Sequence, residues 1–267
     1  AFRTGISDAD LIDVANGAGA LFRIDPSGDD FAGDPDNNYA VPTDNPDFGA
    51  GAYPGVAARG LRNPFKMTRD PVTDQLLIGD VGWNSREEIN LYDLTVPEAL
   101  NYGWPKFEGN LLVGADVPLP GVETFPAHAY GHGDGPFQGY SITGGPVMRG
   151  GLPELEGRYL FGDFGSFRDS EIPQRIWSID VAAGSLDASS VMLWSLIFPE
   201  GAGPAGRLIG MDTAADGTLF LSDYDGNIFV AADVVVPLPA TGLLTLTGFG
   251  LLAGVRARSG LRVNARR

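Results

Sequence analysis

The side chains that could do chemistry are few in kind. The chain has no cysteine, two histidines, 34 acidic residues and 18 basic ones. Without cysteine there is no thiolate metal centre, no cysteine nucleophile and no disulfide scaffold. His128 and His132 stand four apart, as two zinc ligands would on a helix. The run His128-Ala-Tyr-Gly-His132-Gly-Asp-Gly does not favour a helix, and the glutamate that follows the first histidine of a zinc protease is missing. The pair therefore reads as ordinary loop residues. A serine triad has no Gly-x-Ser-x-Gly turn to rest on. Asp34, Asp36 and Asn38 alternate as calcium ligands do, but Tyr39 and Asn45 stand where an EF-hand needs glycine and glutamate, so the stretch reads as an acidic loop.

What remains is an unevenly placed charge. All acidic residues precede Val234, whereas Arg256, Arg258, Arg262, Arg266 and Arg267 follow it, so residues 1–233 carry 13 basic against 34 acidic residues. A body this acidic repels phosphate backbones, which excludes a nucleic-acid partner, and its carboxylates suit a hard cation.

The elements that must position such residues repeat along the chain. QLLIGDVG (75–82), RYLFGDFG (158–165) and TLFLSDYDG (218–226) are each a short apolar strand ending in an aspartate and a glycine turn. Each is preceded by a turn signal, at Asp70-Pro71 to Asp74, Leu152-Pro153 to Gly157 and Asp216-Gly217. Each is followed by a second apolar strand, in EEINLYDL, QRIWSIDV and NIFVAADV. A third candidate strand lies upstream, in GLRNPFKMTRD, SITGGPVMRGG and GRLIGMDTAADG. GALFRIDPSG (19–28) supplies one more strand. Meandering strands with Asp-Gly and proline turns predict an all-β chain, a β-propeller with long inter-blade loops at 29–56 and 106–140.

Val234 to Val255 is a run of 22 residues without charge, followed by the arginine cluster. Its length can cross a bilayer, and the arginines predict a cytoplasmic tail with the acidic body exported. The segment Val236-Pro237-Leu238-Pro239-Ala240, an apolar helix over about 241–255 and the arginines resemble the VPLPA variant of the sorting signals read by exosortases. That resemblance implies a Gram-negative cell-surface or secreted protein, a transient membrane anchor and an exosortase-type partner. Residues 1–233 are then one domain and 234–267 the signal. The chain opens AFRTG, without initiator methionine or apolar leader, and reads as the C-terminal part of a longer protein.

The body itself resembles the soluble quinoprotein glucose/sorbosone dehydrogenases, six-bladed propellers that bind pyrroloquinoline quinone (PQQ) and calcium. The residues that carry this are GLRNPFKM, IGDVGWNSREEINL and NYGWPKFEG, with VPTDNPDF, SITGGPVMRG and ELEGRYLFGDFGS in the same order. The resemblance implies about three and a half blades and an enzyme that oxidises a sugar hydroxyl by hydride transfer to PQQ. It matches Arg62, Asn63 and Arg207 to quinone contacts, and a guanidinium fork suits a tricarboxylate. Gly82 and Trp83 match the backbone pair that holds the cofactor calcium, and Glu88 and the backbone of Tyr102 match ligands of a second calcium. Ile209 stands where the family has a second arginine. The family's cofactor lysine would fall near 164–166, yet the chain has only Lys66 and Lys106. The family's catalytic histidine belongs to a blade upstream of GALFRIDPSG, so no catalytic residue is assigned and the chain is expected to be inactive alone. A non-catalytic propeller that binds a glycan or a protein is the alternative.

Overall fold

The computed structural model describes residues 7–165, 175–182, 184–194 and 207–231, with the backbone of 238–239. These residues are almost entirely strand and turn; the one α-helix, Asp8–Ile12, is a single capped turn. The C-terminal helix expected over 241–255, and most of the signal with it, lies outside the described residues. No helix among the described residues is long and apolar enough to cross a membrane.

The three expected repeats are three consecutive antiparallel sheets. In the second sheet of the chain, Pro64–Asp70, Gln75–Asp80 and Arg86–Asp93 pair in sequence. In the third, Ile142–Val147, Arg158–Asp163 and Arg175–Ala182 do so, and in the fourth Leu208–Thr213, Leu219–Asp223 and Ile228–Val230. Two of these sheets carry an outer strand that the repeat did not reveal: His128–Gly131 on the second and Ser185–Trp194 on the third. The stretch 106–140, expected as loop, thus contains His128–Gly131 and three two-residue strands, Phe107–Glu108, Leu111–Leu112 and Val122–Glu123. Leu238–Pro239, from the centre of the VPLPA segment, pairs with Met192 and Leu193 at the edge of the third sheet.

The first sheet is different. Leu21–Phe22, all that GALFRIDPSG contributes as strand, pairs antiparallel with Val56–Arg59. Leu100–Asn101 and Val122–Glu123 then add in parallel. The fully buried Arg59 fixes the entry to this sheet, donating to the carbonyls of Asp13 at 2.5 Å and Asn16 at 2.6 Å.

Alternation along the strands explains why the second strands of the second and third sheets read as near-continuous apolar runs. On Gln75–Asp80, Leu77 faces a core shared with the third sheet, while Ile78 faces one shared with the first. On Arg158–Asp163, Tyr159 and Phe161 face back to the second sheet, whereas Leu160 faces a core shared with the fourth. Successive side chains thus enter different cores, and each middle sheet is buried on both faces. The inner strands Pro64–Asp70, Ile142–Val147 and Leu208–Thr213 lie side by side. Thr68 Oγ1 donates to the Gly145 carbonyl at 2.7 Å and Thr143 Oγ1 to the Leu208 carbonyl at 3.1 Å, and Lys66 donates to the Met211 carbonyl. Consecutive sheets that share face-to-face cores and adjoin at their first strands have the packing of propeller blades. No sheet among the described residues closes a ring.

Candidate functional site

The recurring aspartate has a structural task. Asp80, Asp163 and Asp223 each end the second strand of a sheet, opposite the first residue of its inner strand: Pro64, Ile142 and Leu208. Asp80 accepts the backbone N–H of Arg62 at 2.8 Å and Asn63 at 2.6 Å. Asp163 likewise accepts those of Tyr140 at 2.9 Å and Ser141 at 3.0 Å, and the Tyr130 hydroxyl at 2.9 Å. Asp223 departs from this pattern and holds Asn227. One backbone bond recurs in all three sheets. The carbonyls of Asn63, Ser141 and Arg207 accept an N–H from Val81, Phe164 and Tyr224, the residue after each aspartate. Asn63, Ser141 and Arg207 are therefore equivalent positions at the same end of adjoining inner strands.

That end holds most of the residues singled out in the sequence. Arg62 donates from Nη1 to the carbonyls of Val81 at 2.8 Å and Gly82 at 2.6 Å, and its guanidinium lies 5.4 Å from the centre of the Trp104 ring. Trp83, half exposed, meets Trp104 edge-on at 5.6 Å. Gly82 must be glycine, because a Cβ there would stand 1.5 Å from the Arg86 carbonyl oxygen. Arg207 lies apart from these residues, over the ring of Phe164 at 5.2 Å. Phe164 thus occupies the neighbourhood where the lysine was sought. Lys66 and Lys106 are spent elsewhere: Lys66 on Met211 and Asp212, Lys106 on Asp116 and Glu123.

Glu88 is buried directly opposite Asp80 on the adjacent strand. Its Oε1 accepts from Gly109 N at 2.5 Å and its Oε2 from Asn90 Nδ2 at 3.1 Å. Burial pushes Asp80 up to about 8 and Glu88 up to about 7, helped by the negative charge of Glu88 on the first and of Glu108 and Glu87 on the second. Tyr102 is buried in the segment that follows Leu100–Asn101, its N–H on the Arg59 carbonyl at 2.9 Å and its hydroxyl on the Leu91 carbonyl at 2.8 Å.

Sequence reasoning missed Glu108. Its Oε1 accepts four successive backbone N–H groups, of Trp83 at 2.6 Å, Asn84 at 2.8 Å, Ser85 at 2.8 Å and Arg86 at 3.1 Å. Burial opposes the charged form, but these donors outweigh it and hold the carboxyl below the usual range. Glu108 therefore sets the turn that presents the carbonyls of Gly82 and Trp83. Its quoted context, KFEG, carried no signal beyond the glycine after it. Of the two histidines read as loop residues, His128 was misread. His128 lies on the outer strand against Phe161, and His132 Nε2 sits 2.7 Å from Glu87 Oε1. The acidic stretch at Asp34 is a set of local turns, with Asp36 N and Asn37 Nδ2 on the Asp34 carboxylate.

The donor chemistry fits an anionic, planar cofactor in part. Arg62, Asn63 and Arg207 stand at equivalent strand ends, Arg62 over the Trp104 ring that the exposed Trp83 meets and Arg207 over Phe164. It fits a divalent cation in part as well: Asp80, Glu87, Glu88 and Glu108 bring several buried carboxylates close together, and a cation would offset their repulsion. Against this, the Gly82 carbonyl already accepts from Arg62. No group of three or more metal-binding side chains occurs among the described residues.

Residues 10–121 match the family model described as Glucose / Sorbosone dehydrogenase. The matched part contains Arg62, Asn63, Gly82, Trp83, Glu88 and Tyr102, and Arg207 lies beyond it. Among solved structures the chain is similar to a glucose dehydrogenase at 19% identity, with a TM-score of 0.54 over 84% of this chain and 54% of that one. It is similar to the soluble aldose sugar dehydrogenase of Escherichia coli in its apo-form at 16% identity, TM-score 0.52, covering 84% and 55%. An oxidoreductase (glucose dehydrogenase) of Thermus thermophilus aligns at 20% identity, TM-score 0.52, covering 81% and 53%. These likenesses are of fold, and the chain spans just over half the length of each structure.

Proposed function

We propose that this chain forms part of a PQQ-dependent sugar dehydrogenase, about three and a half blades of a six-bladed propeller, exported and carrying a C-terminal sorting segment. The observation that carries the reading is the placement of Arg62-Asn63 and Arg207 at equivalent ends of the inner strands of the second and fourth sheets, which flank that of the third, with the Trp83–Trp104 pair beside the first. When bound, the quinone would accept hydride from a sugar and calcium would polarise its carbonyl. The chain's own part is binding and orientation. Arg62 and Arg207 would pair with quinone carboxylates, and Asn63 would hydrogen-bond its edge. Gly82 and Trp83 would offer carbonyl oxygens to the first calcium, on the turn that Glu108 fixes. Glu88 and the Tyr102 backbone would serve the second. A sugar is the proposed substrate, and an exosortase-type enzyme the partner of residues 234–267.

No residue of this chain matches the family's catalytic base, so the proposal assigns turnover to a form with an additional upstream blade. Dye-linked oxidation of a sugar panel by such a form, reconstituted with PQQ and calcium, tests it. Sugar-dependent dye reduction is expected, and no turnover together with no quinone binding would refute the reading.

A second reading, a surface propeller that binds a glycan or protein without redox chemistry, is favoured by Ile209 at the second arginine position and by the engagement of both lysines. It predicts glycan or protein binding that is indifferent to PQQ.

A further inference from the structure

The third sheet ends on an apolar edge. Its outer strand, Ser185–Trp194, is largely exposed over its first half but closes in Val191-Met192-Leu193-Trp194, four residues without charge. Val191 and Leu193 pack into the core shared with the second sheet, Met192 and Trp194 into the core shared with the fourth. On one side the backbone of this stretch pairs with Arg175–Ala182, which leaves its other side open to a further strand. An edge of this kind invites pairing with an extended segment. What it holds is Leu238–Pro239, in antiparallel register: Leu193 stands opposite Leu238 and Met192 opposite Pro239.

The register suits the residues. Successive pairs of an antiparallel ladder alternate between exchanging two N–H···O bonds and exchanging none. Pro239 has no N–H, so its pair with Met192 is of the second kind, and the bonds are exchanged by Leu193 and Leu238. Pro239 then turns its missing donor away from the sheet, which is where an edge strand tolerates proline. The far side of the pair is left short of a donor, so a further strand cannot readily add there. Reach favours the chain's own segment. Ala231, just after the last strand of the fourth sheet, packs against the same core as Met192, and the seven steps from Ala231 to Leu238 can span about 23 Å. A second copy is disfavoured, because residues 1–233 carry 34 acidic against 13 basic residues and would repel their like.

We propose that this edge is the docking site of the chain's own C-terminal motif, holding 236–240 by its centre as the closing strand of the third sheet. Both backbone groups of Leu238 are then engaged, so an enzyme that takes the motif as an extended peptide must first open this pair. That consequence rests on the reading of 234–267 as a processed signal; the pairing does not, and it is measured without a processing enzyme. The intact chain, held in detergent micelles, has no cysteine of its own, so Met192→Cys with Pro239→Cys gives an unambiguous trap. Facing residues of a non-hydrogen-bonded pair stand about 4.5 Å apart at Cα, within reach of a disulfide. Oxidised glutathione should link them within one chain, at least about tenfold faster than it links Ser189→Cys with Pro239→Cys, which is out of register. Leu238→Pro removes the donor from the motif without touching the body. It should speed hydrogen exchange at the Leu193 amide about fivefold and leave the melting temperature unchanged, as well as the amides of Met192 and Trp194, which alternate towards Arg175–Ala182. Leu238→Val, which keeps the donor, should exchange like wild type. Disulfides formed only between chains, equal rates for the two cysteine pairs, or Leu193 exchange indifferent to Leu238→Pro would each overturn the assignment.

Discussion

Glu108 offers a demanding test, because a single buried oxygen holds four consecutive N–H groups of the turn 83–86. A hydrogen bond to a charged acceptor contributes about 1.5–3 kcal/mol. One such bond sets the floor for Glu108→Ala. Four independent bonds would set a ceiling that cannot be reached, since all share one oxygen and water can enter the emptied space. About 4 kcal/mol is the expected loss, or a fall of about 10 °C in melting temperature for a chain of this size. Glu108→Gln keeps an acceptor but loses the charge, and should cost about half as much. The sign with pH follows from the depressed carboxyl. Its contribution is present above the ordinary glutamate value and is lost as pH falls through the folded one. The gap between wild type and Glu108→Gln should therefore narrow below about pH 4. Melting followed by circular dichroism at pH 7 and pH 3 reads all of this. A cost below about 1 kcal/mol for Glu108→Ala, equal costs for the two variants, or a gap unchanged with pH would refute the reasoning.

The other predictions concern the buried carboxylates and the open end of the structure. With chelator present, stability should fall between pH 5 and pH 8. Asp80, Glu87, Glu88 and Asp163 are all pushed up by burial, so they stabilise the fold while protonated and cease to do so as pH rises towards about 8 for Asp80 and about 7 for Glu88. His128, shifted the other way, opposes this with one group. Calcium should recover the loss at pH 8, and a rise in stability with pH in chelator would contradict the assignment. Asp163→Asn keeps the shape but replaces an acceptor by a donor, so it should cost about 1–3 kcal/mol and deprotect the Tyr140 and Ser141 amides in hydrogen exchange. The fourth sheet leaves Ile228 and Tyr224 more than half exposed, beside a groove lined by Met211, Phe220 and Lys66. Residues 1–233 should self-associate with rising concentration, and a sharp monomer peak with cooperative melting would rule this out.

The sequence disclosed the fold where local chemistry repeats. The runs 75–80 and 158–163 are apolar on both faces because each lies between two cores, and their terminal aspartates recur because Asp80 and Asp163 pin the entry of an inner strand. Turn residues also spoke for themselves, as in the Asp70 carboxylate that holds Val72 N and Thr73 Oγ1. The strand Ser185–Trp194 escaped because its burial is irregular, with most of its first half exposed. The parallel pairs of the first sheet escaped because a two-residue strand has no period to detect. Resemblance singled out Arg62, Asn63 and Gly82 for the proposed site, but the bond from Arg62 to the Gly82 carbonyl was not legible, nor was the dependence of the turn 83–86 on a carboxylate more than 20 residues along the chain. Such contacts arise from packing between loops, which no local pattern encodes.

The central claim, that Arg62 and its neighbours hold a quinone, is tested most directly by titrating the chain with PQQ, with and without calcium, in wild type, Arg62→Ala and Arg62→Lys. The account predicts saturable, calcium-enhanced binding that weakens at least about tenfold in Arg62→Ala and nearly as much in Arg62→Lys, which keeps the charge but lacks the planar fork. No quinone binding by the wild-type chain, or the same affinity in all three forms, would contradict it.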